Sequence, residues 1–460
     1  MGIHDNEVEA VRERLIACGP EKLANVLLQL ANWNSDAHDM VERLAASRED
    51  NRKRGKTRLN KIKRGKRFYD WRATSEFAHE LKAVVEDIAA AEPDPEEGFE
   101  AMCEFLECDK SIIERCDDSN GQVSWVFRYD ATQLLTKYAA DCADKEKTGA
   151  RVVDLYAGCE YGVREDVVES VAKVMSEPVC RSMIGQLWRM ADDAEGEYAE
   201  FKKRHLLRGV EEIARLLKDA PLFEKARLAT VPADNTAANI DIARAYLEAG
   251  QPAAALSWVS GVPDNEQFEA WKRRSLLFEI YGQLGDQENL TAIAWEIFRN
   301  GRCVENFVQL LGVIGEESRD STLASEIQLI LNTEHLYFPY SDAQFLIEMD
   351  QTDALATLVR QHASKLDGDL YLHVLPIAEH LKQKQHWSTA SLAYRALLDS
   401  ILARAQSKYY HHGVRYLREL DAISGDVDDW NGFPAHGEYM EELRSAHGRK
   451  YRFWQLYGKK

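Results

Sequence analysis

The chain predicts an all-α protein: an irregular N-terminal helical region followed by a tetratricopeptide-like α-solenoid. Three observations carry this expectation. Only 11 prolines and 26 glycines interrupt 460 residues, and 45% of the residues are apolar. That balance leaves few breakers among residues that favour helix. Apolar side chains recur at helical spacing almost everywhere. Part of the chain also repeats itself at an interval of 35 residues.

Taken in order, Val8, Val11, Leu15 and Ile16 share one helical face before Gly19-Pro20 breaks the chain. Leu23, Val26, Leu27 and Leu30 begin a second face. Phe77, Leu81, Val84, Val85 and Ile88 line a third, which ends at Pro93-Asp94-Pro95. Val123, Trp125 and Phe127 alternate as in a strand, while Val126 and Tyr129 fit a helix equally well. Val210, Ile213, Leu216 and Leu217 precede Pro221. Ala243, Tyr246, Gly250 and Ala255 then have counterparts 35 residues on, at Phe278, Tyr281, Gly285 and Leu290. This interval is close to the roughly 34 residues of a tetratricopeptide helix pair. A looser copy holds Ala378, Leu381, Trp387, Ala390, Tyr394 and Leu397. The expected regions are 1–95 with its basic segment 48–67, a middle helical region 96–233, repeats over 234–420, and a capping segment 421–460.

A second set of residues carries a resemblance. Leu370-Tyr-Leu-His-Val-Leu-Pro376, Leu392-Ala-Tyr-Arg-Ala-Leu-Leu398, Arg415-Tyr-Leu-Arg418, Arg67-Phe-Tyr-Asp-Trp71, Cys116-Asp-Asp-Ser-Asn-Gly121 and the tail Phe453-Trp454 look like an uncharacterised bacterial all-helical family. Its C-terminal half is tetratricopeptide-like, and some relatives are attached to SWIM-type zinc fingers. The resemblance implies a cytoplasmic helical-repeat protein and no activity. It also places Phe68 to Trp71 in a packing motif. The Cys-x-Cys and Cys-x-His pairs of a SWIM finger do not occur, so no zinc role carries over.

Most short motifs reduce to structure. Gly55-Lys56-Thr57 ends like a phosphate-binding loop, but Asp50 stands where its first glycine belongs. Asp117 to Gly121 is similar to a calcium loop, yet Cys116 and Phe127 occupy two ligand positions. A turn capping the next helix is the better expectation. Cys103, Cys108 and Cys116 lack zinc spacing and read as core thiols. His411 and His412 are expected to diverge on a helix, whereas His373 and His380, seven apart, can share a face. No catalytic or cofactor-binding signature occurs, so neither a cofactor nor a metal is expected.

Charge is the exception. Residues 48–67 hold eleven Lys or Arg against two acids, a local +9 within a chain of net −19. Arg52, Lys53, Arg54, Lys56, Arg58, Lys61, Lys63, Arg64, Lys66 and Arg67 are therefore candidates for polyanion binding. Three uses are open: neutralising phosphates with Tyr69 or Trp71 stacking a base, folding onto acidic surface, or standing as a solvated helix. No apolar run nears the roughly 18 residues of a membrane span, and the eight cysteines are scattered. The functional expectation is a non-catalytic, cytoplasmic scaffold that holds a protein or peptide partner in its groove. The alternative is an accessory protein binding nucleic acid through 52–67.

Overall fold

A computed structural model describes residues 3–232, 235–262 and 269–458. Every named element among them is helical, and the sole bridge of sheet type joins Tyr69 to Cys116. The all-α expectation is met. The chain divides into two compact units, Met1–Asn265 and Glu266–Lys460. That boundary falls inside the stretch 234–420 expected to form one array.

In the first unit a continuous core runs from Leu59 to Ala226, with Phe77, Phe105, Phe127 and Tyr156 fully buried. Its helices pack largely against their sequence neighbours, as in Arg48–Arg64 on Thr74–Ala90 and Glu177–Asp192 on Ala199–Leu216. Each face is covered chiefly by the next helix, the packing logic of a helical array. The alternating Val123, Trp125 and Phe127 are not a strand. They lie in the helix Gln122–Trp125 and a π-turn Val126–Ala131, which buries Val123, Val126 and Phe127 and turns Trp125 and Tyr129 outward. The first helices differ from expectation too. Val8, Val11, Leu15, Ile16, Val26, Leu27 and Leu30 are exposed, and Pro20–Ala31 buries no side chain.

In the second unit the core gathers Phe298, Phe307, Phe345, Leu381, Leu398 and Phe453. Helix pairs again follow one another: Ala270–Leu284 with Gln287–Asn300, Tyr340–Glu348 with Thr352–Gln361, and Tyr371–Gln383 with Trp387–Arg404.

One turn recurs through both units. At Lys218, Gly250, Gly285, Asp350 and Gln385 the backbone enters the left-handed region, with φ between 53° and 73°. The next residue's N–H then returns to a carbonyl five positions back: Asp219 to Ala214, Gln251 to Tyr246, Asp286 to Tyr281, Gln351 to Leu346 and His386 to Leu381. This six-to-one bond satisfies a carbonyl that the ending helix leaves open. The expected pair Gly250 and Gly285 thus belongs to a repeat of five turns.

Candidate polyanion interface

The basic run folds mainly as the helix Arg48–Arg64, started by Ser47, whose hydroxyl accepts the Asp50 N–H at 3.1 Å. Asn51, Gly55, Leu59 and Ile62 form its buried stripe against Thr74–Ala90. The remaining positions are charged apart from Thr57 and Asn60, and all but the half-buried Arg54 and Arg58 are exposed. Gly55-Lys56-Thr57 lies within the helix and forms no phosphate loop.

The ten candidate cations separate into two groups. Toward the N-terminal end they pair with acids of their own unit. Arg52 reaches Glu97 at 3.1 Å, Lys53 reaches Glu49 at 3.6 Å, and Arg58 reaches Asp39 at 2.7 Å. Arg43, Arg54 and Arg58 also converge on Asp87, a fully buried carboxylate, at 2.9, 3.2 and 3.2 Å. Arg43 makes an aligned hydrogen bond; the approaches of Arg54 and Arg58 are too oblique to count as one. All of these pairs except Lys53–Glu49, which lies within one helix, join separate elements.

The remaining candidates, most of them further along the run, differ. Lys56, Lys61, Lys63, Arg64 and Lys66 are exposed and form no ion pair among the described residues, while Arg67 stacks over Tyr69 at 4.7 Å. The strap after the helix is fixed from beneath. Tyr69 donates its N–H to Arg115 at 2.8 Å and accepts from Asp117 at 2.9 Å. Its ring stacks on Phe77 with centroids 4.0 Å apart, and Arg115 bonds the Ile62 carbonyl at 2.9 Å. Only Tyr69 of the three aromatics is buried. Phe68 and Trp71 are 62% and 58% exposed, which corrects the packing role that the resemblance implied for the whole motif. Alternation explains Phe68, which turns outward when Tyr69 is anchored inward, whereas Trp71 lies in the turn that follows. Lys61 and Arg72 also line a recess of about 870 Å³, whose other walls include Glu76 and Glu80.

The other candidates resolve as structure. Asp118 caps its helix, accepting the N–H groups of Val123 and Ser124 at 2.8 Å each, which bears out the turn. Cys103 and Cys108 are buried free thiols, and loss of hydration pushes Cys103 up to about 12. His380 bonds Thr352 at 3.0 Å while His373 sits by Tyr340, so the two have separate partners. His411 and His412 do not diverge; their rings lie 3.9 Å apart. No group of three metal-ligating side chains occurs among the described residues.

A family model covers residues 11–456. The chain belongs to the family of unknown function DUF6880. No curated protein matches it. The DUF6880 match spans nearly the whole chain and names no reaction.

Proposed function

We propose that this DUF6880 protein is a non-catalytic accessory protein that binds single-stranded nucleic acid on the face formed by Lys61, Lys63, Arg64, Lys66 and Arg67 with Phe68 and Trp71. The observation that carries the reading is the contrast within one basic run. Arg52, Arg54 and Arg58 are bound to acids, whereas the cations beside the two exposed aromatics form no ion pair among the described residues. Cations along a strand neutralise phosphates, and exposed rings stack unpaired bases whatever their sequence. The net charge of −19 opposes long-range attraction, but salt confines that repulsion to about 8 Å.

Anisotropy of a labelled oligonucleotide tests the proposal. Five phosphate contacts predict about a hundredfold loss of affinity between roughly 50 and 200 mM salt. Changing Lys61, Lys63, Arg64, Lys66 and Arg67 to Gln should abolish binding without moving the melting temperature. Phe68→Ala with Trp71→Ala should weaken binding to single strands by about 1 kcal/mol or more per ring. Salt-insensitive binding, or none, would remove the proposal; binding to heparin alone would make the ligand a different polyanion.

A second reading, a protein or peptide partner, is favoured by the exposure of Leu336, Tyr337, Tyr371 and Leu372 in the second unit. The scattered free thiols suit a cytoplasmic setting. The bacterial origin rests on the resemblance, and both belong to the proposal.

A further inference from the structure

The N-terminal end of the first unit carries apolar surface that its neighbouring helices leave uncovered. Between Val8 and Leu44 eleven large apolar side chains are exposed, against twenty in all the described residues that follow. Val8, Val11 and Leu15 succeed one another at helical spacing along Ile3–Ala17, and Trp33 is 90% exposed. Pro20–Ala31 and Ser35–Ala45 pack on each other, yet neither buries a side chain. Ser35–Ala45 is tied to the rest of its unit by charge. Asp39 meets Arg58 at 2.7 Å, and Arg43 meets Asp87 at 2.9 Å.

In a helical array each pair covers the face of the next, and a terminal pair needs a polar outer face to stay soluble. The C-terminal end obeys this rule. From Tyr410 to Gly458 the sole exposed large apolar side chain among the described residues is Tyr451, and Phe453 is fully buried. The N-terminal end does the opposite, so its stacking continues into another molecule. Copies stacked head to tail would need an apolar C-terminal end to receive it. A face that meets its own copy across a twofold axis needs no second surface.

The quantity of surface fits the same partner. A fully exposed side chain of this size presents roughly 100 Å², so eleven residues exposed by 38–90% leave about 600 Å² of apolar area in water. A standard interface takes about 800 Å² from each partner, of which about 500 Å² is apolar. A bilayer surface is the poorer occupant, because acids outnumber Lys and Arg by six to four between Val8 and Ala45.

We infer that a second copy of this chain covers this surface, giving a twofold dimer joined N-terminal end to N-terminal end through Ile3–Ala17 and Pro20–Ala31. The contact lies outside residues 61–67 and does not rest on the nucleic-acid reading.

Sedimentation of the full chain from about 1 to 100 μM reads the outcome by mass action. The mass should reach twice the 52.4 kDa of one chain and stop there. Leu15→Glu with Leu30→Glu sets charges into the apolar contact and should raise the dissociation constant about a hundredfold or more. Both positions are exposed in the single chain, so neither change removes internal packing. Hydrogen exchange supplies a reading free of substitutions. Amides of 8–31 should be protected at high concentration and lose that protection on dilution, while those of 410–458 stay unchanged. Changing Lys61, Lys63, Arg64, Lys66 and Arg67 to Gln should leave the dimer intact. A single-chain mass across the whole range would overturn the inference and leave the surface to a different protein. A mass that keeps rising past two copies would overturn it too, as would a double variant that dimerises as tightly as the parent. Loss of the dimer in the Gln variant would place the contact on the basic run instead.

Discussion

At the residue scale, Asp87 shows why a basic run need not be a binding surface throughout. A buried carboxylate is costly unless charges and hydrogen bonds compensate it, and Arg43, Arg54 and Arg58 do so from two helices. Removing the anion leaves three guanidinium groups crowded together in a site that excludes most water. Asp87→Asn should therefore destabilise the first unit by about 3 kcal/mol, read as a lower urea midpoint. A change below about 0.5 kcal/mol would show that the cluster is an ordinary surface pairing. Composition reveals the excess of cations over 48–67, but not this division. Glu97 and Asp87 lie 45 and 33 residues from Arg52 and Arg54, and only folding brings them together. The exposure of Phe68 and Trp71 was equally hidden, because three neighbouring aromatics look alike until the backbone bonds of Tyr69 fix which one points inward.

At the element scale, helices were readable wherever a face is buried, as with Phe77, Leu81, Val84 and Val85. The repeat was less so, for a specific reason. The geometry that recurs is a left-handed residue followed by a six-to-one hydrogen bond, and glycine serves it only at Gly250 and Gly285. At Lys218, Asp350 and Gln385 an ordinary side chain takes the same conformation, so the turn persists where its sequence mark is lost. A Cβ in the left-handed region costs roughly 1–2 kcal/mol. Gln385→Gly should thus raise stability by about 0.5–1 kcal/mol, while Gly250→Ala should lower it by about 1 kcal/mol. No atom lies within 4 Å of a Cβ built at Gly250, so crowding cannot account for that loss. Opposite signs in thermal melts would confirm the shared turn; a gain in both would show that backbone strain is not what sets these positions.

For the whole molecule, charge is the governing feature, and it acts differently inside and outside. Outside, the excess of acids disfavours compactness and anionic partners except at the free cations of the first unit. Inside, Glu211 and Glu212 on the helix Ala199–Leu216 are deprived of water. Burial pushes both carboxyls up to about 7 from the usual 4.5, more than Arg227 and Arg208 pull them down. Arg227 stands 3.4 Å from Glu211, and Arg208 stands 3.5 Å from Glu212. Groups whose pKa is raised by folding favour the folded state fully below the unfolded value, and that advantage is lost as pH rises through the folded value. Stability should accordingly fall between about pH 4.5 and pH 7, the window set by those two values. Replacing both residues by Gln removes the titration while preserving volume, so the double variant should lose less stability across that window. Melting temperatures of the two proteins measured side by side give the comparison. Parallel curves would mean that these carboxylates keep their water and do not set the pH response of the chain.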